Sequence, residues 1–156
     1  HSLSLSLSLS LSLSLSLSPV LHYAHNTSLI QTCLMRNMSS PIFCVVCLEG
    51  MWTNLLSRVK LIDEVAVAPS GSSVTVTLKA LLLGQLRPGG PRPGERYEVT
   101  WTQGTTVRSD LQNRFGWTLT RAEAAGRWTV RIQYFSTEIR YDPRGYTTDT
   151  RTFTVN

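Results

Sequence analysis

The chain has 156 residues and a formal net charge of +5, carried mostly by arginine. This length allows one domain of ordinary size. Because the basic residues are spread along the sequence instead of forming one patch, the composition argues against a nucleic-acid-binding protein. No apolar run is long enough to cross a bilayer, so we expect neither nucleic acid nor a membrane as a partner.

Residues 1–18 contain a strict alternation of serine and leucine from Ser2 to Ser18. A perfect repeat without charge or turn residues is typical of low-complexity sequence. A CT dinucleotide repeat translated in triplets gives the same alternation, so we expect this segment to be disordered or an artefact. It does not resemble a signal peptide, because it has no basic start and no continuous apolar centre.

Residues 19–60 combine an irregular stretch with one predicted helix at about 48–60. Apolar residues recur there at the spacing of one helix face. These are Leu48, Met51, Trp52, Leu55, Leu56 and Val59. Since little chain precedes this helix, we expect its packing partner to be missing and interpret 19–60 as the remnant of a catalytic domain.

Two glycosylation sequons and three cysteines lie in the same region. Asn26 and Asn37 each begin an Asn-x-Ser sequence, which accepts a glycan only in a secreted protein. For Cys33, Cys44 and Cys47 we favour a structural disulfide of Cys33 with one of the other two. Zinc ligation, a redox dithiol and buried thiols stay open, since a tetrahedral zinc site needs more ligands than one Cys-x-x-Cys pair.

From residue 61 to 156 the apolar period changes to two, which is typical of β-strands with one buried face. The strongest example is Gly126–Phe135, where apolar and polar residues alternate throughout. The Pro- and Gly-rich stretch Arg87–Gly94 predicts a surface loop. About seven short strands separated by turns predict a mainly β fold, an antiparallel immunoglobulin or fibronectin III-like sandwich.

The predicted core of this sandwich is aromatic and β-branched. Trp101 falls where an immunoglobulin domain carries its core tryptophan. The stretch Ala124–Trp128 resembles the corner before the sixth strand, with Trp128 in place of the usual tyrosine. The core candidates are Trp101, Trp117, Trp128, Val130, Ile132 and Tyr134. No cysteine pair joins the two sheets, so packing alone must hold them together.

Catalytic residues are not evident in the sequence. Its histidines are His1, His22 and His25, and it contains no His-Glu-x-x-His zinc motif and no nucleophile elbow. We therefore expect no catalytic residue, no cofactor and no metal bound by this chain, apart from the weak zinc candidates among the cysteines.

Two segments together resemble a known family. The first is Cys33-Leu34-Met35-Arg36 followed by Phe43-Cys44-x-x-Cys47-x-Glu49 and a helix. The second runs from Thr137 to Pro143 and is followed by Thr152-Phe153-Thr154-Val155. They are similar to the C-terminal end of the catalytic domain, and to the module trailing it, in the IgA-peptidase family of zinc metallopeptidases. The residues that match in the first segment are Cys33, Met35, Arg36, Cys44 and Cys47, which we interpret as structural.

The resemblance implies a secreted peptide hydrolase in which a zinc-bound water attacks the scissile carbonyl. The zinc-binding helix of that family has no counterpart in this sequence, so we expect the chain to be inactive by itself. Its sandwich would be an accessory domain with an upstream catalytic domain as partner. The alternative is a stand-alone adhesion or recognition module that binds protein or glycan through loops such as Arg87–Gly94.

Overall fold

The computed structural model describes residues 33–156. A boundary between Cys44 and Val45 divides the chain into two compact units. In the first, residues 33–44 form turns, and the helices and strands described below all lie in the second. The serine-leucine repeat, Asn26 and the rest of residues 1–32 lie outside the described part, so the predictions made for them stay predictions.

The second unit consists of one long helix followed by seven strands. Helix α1 spans Val45–Leu56. The strands are β1 (Ile62–Ser70), β2 (Ser73–Ala80), β3 (Arg96–Gln103), β4 (Thr106–Val107), β5 (Gly116–Thr120), β6 (Gly126–Phe135) and β7 (Thr148–Val155). A one-turn helix, α2, spans Arg121–Ala124, and short 3₁₀ helices span Leu83–Leu86 and Ser109–Leu111.

The strands form two antiparallel sheets, with the orders β1-β2-β5 and β4-β3-β6-β7. In a constant-type immunoglobulin domain the short fourth strand joins the first sheet. Here β4 pairs with β3, so the fourth strand belongs to the sheet that also contains β6 and β7. The predicted mainly β, antiparallel sandwich of seven strands is confirmed.

Aromatic side chains fill the space between the sheets. The ring of Trp117 on β5 lies 5.8 Å from that of Trp101 on β3 and 4.6 Å from that of Trp128 on β6. Strand β6 is the most deeply placed, because its alternate residues Trp128, Val130, Ile132 and Tyr134 are all at most 1% exposed. All six core candidates are therefore buried in the structure.

The corner before β6 has the hydrogen bond of the immunoglobulin corner that its sequence resembles. The indole N–H of Trp128 donates a 2.7 Å hydrogen bond to the carbonyl of Ala124, four residues upstream. In immunoglobulin domains a tyrosine hydroxyl makes the equivalent bond to the backbone. The Ala124 carbonyl belongs to helix α2. A capping box between Thr120 and Glu123 stabilises the start of this helix.

Helix α1 differs from its prediction in length and in its contacts. It spans 45–56 instead of about 48–60. After its last residue, the backbone N–H of Val59 still donates a hydrogen bond to the carbonyl of Leu55. The expectation that it lacks a partner in this chain is wrong. Trp52 packs on Tyr134 at a ring distance of 5.8 Å, and Leu56 belongs to the sandwich core.

Candidate functional site

The candidate site is the contact between helix α1 and the loops at one end of the sandwich, and it begins with Glu49. This residue is 9% exposed. Its carboxylate accepts hydrogen bonds from the backbone N–H groups of Arg140 at 2.7 Å and Tyr141 at 2.8 Å. The guanidinium of Arg140 adds an ion pair at 3.1 Å. The helix is thus anchored to the segment that follows β6.

The charge of Glu49 is stabilised in the folded protein. Burial by itself would raise the pKa of its carboxyl group. The backbone N–H groups of Tyr141 and Arg140, together with the Arg140 guanidinium, outweigh that effect and lower the pKa below its ordinary value.

A second set of contacts, one turn further along the helix, surrounds Glu138. Its Oε2 atom accepts a 2.7 Å hydrogen bond from the indole N–H of Trp52 and pairs with Arg87 at 3.1 Å. The guanidinium of Arg87 lies over the Trp52 ring, 5.4 Å from its centroid, and pairs with Glu95 at 2.9 Å. Trp52 is therefore held by both packing and polar contacts.

Glu95 connects this set to the core. Its side chain is 2% exposed, and its Oε1 atom accepts a 2.9 Å hydrogen bond from the hydroxyl of Tyr134. Burial of that phenol, and next its hydrogen bond to Glu95, raise the pKa of Tyr134. The negative charges of Glu95 and Glu138 are thus neutralised by Arg87 and Arg92 beside the helix.

An apolar groove runs along α1 beside Trp52. Its volume is about 380 Å³, and it is lined by Leu48, Met51, Trp52 and Leu55 on the helix and by Arg87, Arg92 and Glu138 opposite. Met51 is 49% exposed and Leu55 is 43% exposed. Leu48, Met51 and Leu55 are spaced i, i+3 and i+7, which is the pattern of a helix face that packs on another surface.

The cysteines divide between the two units. In the first unit, the Sγ atom of Cys33 accepts a 3.1 Å hydrogen bond from the backbone N–H of Cys44, and both residues are buried. Their sulfur atoms lie within 4.8 Å of each other. Cys47 lies in the first turn of α1 and is half-buried. The disulfide and zinc hypotheses both stay predictions.

The other residues of the resemblance are placed as follows. Met35 is 72% exposed and Arg36 is also exposed, so neither side chain packs in a core. Asn37, the described sequon residue, is exposed in a turn. The described residues contain no histidine.

The sequence does not identify Glu49, Glu95 or Glu138 as site residues. Glu49 and Glu138 do occur within the two segments of the family resemblance, and that was the available signal. Sequence periodicity cannot predict the contact between Glu49 and Arg140, because these two residues are 91 positions apart in sequence.

Comparison with known proteins found no matching family model and no matching curated sequence. Within residues 33–156, none of the helices has the length and apolar character that a membrane crossing requires.

Proposed function

We propose that this chain is a non-catalytic part of a secreted zinc metallopeptidase of the IgA-peptidase family. Its β-sandwich is an accessory domain that positions a catalytic domain. The observation that supports this most is the contact of Glu49 with Arg140 and Tyr141. Within the second unit it joins Glu49, the last residue of the first segment of the resemblance, to the second segment.

The exposed face of α1 supports a role in positioning. Glu49 and Trp52 fix the helix on the sandwich, while Leu48, Met51 and Leu55 line an open groove beside Trp52. Exposed apolar surface beside a rigid anchor is typical of an interface. In the proposed protein this face packs on the catalytic domain.

The alternative, a recognition module with an arginine-rich binding loop, has less support. Arg87 and Arg92 of that loop are both paired with carboxylates of the same unit. Their charge is largely neutralised internally, which leaves little attraction for an acidic partner.

A peptidase assay tests the proposal. The purified chain, supplied with zinc, is expected to cleave neither denatured casein nor a peptide library above the rate of a buffer control. Cleavage that disappears with a chelator and returns with zinc would contradict the assignment of a non-catalytic role.

A further inference from the structure

Asn37 lies in a turn of the first unit whose base is fixed by backbone hydrogen bonds. The N–H groups of Arg36 and Asn37 donate to the carbonyl of Cys33, at 2.9 and 2.8 Å. The N–H of Ser40 donates to the carbonyl of Asn37 at 2.9 Å. Asn37, Met38 and Ser39 project from this base and are exposed, Met38 by 91%.

The side chain of Asn37 has a defined orientation in this turn. Its Oδ1 atom accepts a 3.1 Å hydrogen bond from the backbone N–H of Ser39, which is an Asx-turn. Among residues 33–156, neither the Asn37 amide nitrogen nor the Ser39 hydroxyl makes a side-chain hydrogen bond. The nucleophilic nitrogen and the hydroxyl of the sequon are therefore both available to an enzyme.

We propose that Asn37 is an N-glycosylation site, an inference that rests on the secreted location in the proposed function. The donor is an oligosaccharide linked through a diphosphate to a lipid carrier. The amide nitrogen of Asn37 forms a bond to the anomeric carbon of the first sugar and gives up one proton to a carboxylate of the transferring enzyme. The carbon–oxygen bond to the diphosphate breaks, and the lipid diphosphate leaves with the electron pair.

The surroundings of Asn37 accept this modification. Because the side chain is exposed, an attached glycan displaces no packed group among residues 33–156. The central residue of the sequon is Met38, so the proline that would block recognition is absent. A glycan would also cover the apolar side chain of Met38.

Expression of the full chain in mammalian cells tests the site. A cleavable signal peptide is added in front, and a tag with a known glycan acceptor is added behind to report entry into the secretory pathway. Mass spectrometry of the peptide that contains Asn37, after enzymatic deglycosylation in heavy-oxygen water, is expected to show the isotope-labelled aspartate.

Three variants make the test specific. Asn37→Gln and Ser39→Ala are expected to abolish the label on this peptide, whereas Ser39→Thr keeps the hydroxyl and retains it. A glycosylated tag on a chain whose Asn37 is unmodified overturns the proposal. Because the added signal peptide directs the chain into the secretory pathway, an unmodified Asn37 would count against the glycosylation site alone. The peptidase assay tests the proposed function separately.

Discussion

Glu49 is the residue whose behaviour follows most directly from its contacts. A buried carboxylate is stable only when donors replace the water that it loses. Two backbone N–H groups and the Arg140 guanidinium supply them here. Removing the charge would leave these donors with a weaker acceptor.

We expect Glu49→Gln to lower the free energy of unfolding by about 1–3 kcal/mol, since hydrogen bonds to charged groups are stronger than neutral ones. Urea unfolding measures the change. The matched control is Glu98→Gln, which removes an exposed ion pair with Arg96 and should change stability by less than about 0.5 kcal/mol.

The same variant gives a pH dependence with a defined sign. The pKa of Glu49 is lower in the folded protein than in the unfolded chain, so its contribution is present above the unfolded value, about 4.3. It is lost as the pH falls through the folded pKa. The difference in unfolding free energy between wild type and Glu49→Gln should therefore shrink below about pH 4. A difference that stays constant to pH 3 would show that the charge of Glu49 contributes nothing.

The sequence could not predict this residue. In the sequence, Glu49 is only one residue of a family resemblance, and the helical spacing predicts packing for its neighbours Leu48 and Met51. Pairing with Arg140 depends on how the helix is set on the sandwich, which local pattern does not determine. The sequence does predict the core residues, because a period of two assigns Trp128, Val130 and Ile132 to one face of a strand.

At the scale of elements, the corner formed by β5, α2 and β6 joins the two sheets. Its sequence predicts the corner, and the structure adds the bond that fixes it, from Trp128 to the carbonyl of Ala124. Trp117 offers a natural comparison. It is also buried, but its indole N–H has no hydrogen-bond partner among the described residues.

We expect Trp128→Phe to destabilise the protein more than Trp117→Phe, although both replace a buried indole by a smaller ring. Only the first leaves a buried carbonyl without its donor, which costs about 1–3 kcal/mol beyond the lost packing. Thermal and urea unfolding of the two variants measure the difference. Equal losses would mean that the corner bond has no energetic role.

For helix α1, the apolar period does not predict which residues are buried. Six apolar residues at helical spacing cover an arc wide enough to bury either of two sides. The structure buries Leu56, half-buries Trp52 and leaves Met51 and Leu55 exposed, because the Glu49 and Glu138 contacts fix the rotation of the helix. Those contacts come from distant parts of the chain.

At the scale of the whole molecule, the second unit is a sandwich that carries its own helix. That helix is anchored on the sandwich, and its exposed residues Met51 and Leu55 line a groove beside the anchor. A sandwich of this kind is a frame on which very different functions occur. The assignment to a peptidase therefore depends on a second domain, for which the groove along α1 is the expected contact.

The sequence of the full transcript tests this assignment most directly. We predict that the reading frame upstream of the codon for Pro19 encodes a His-Glu-x-x-His segment within a catalytic domain. An open reading frame that is complete at its 5′ end and contains no such segment would contradict the proposed function.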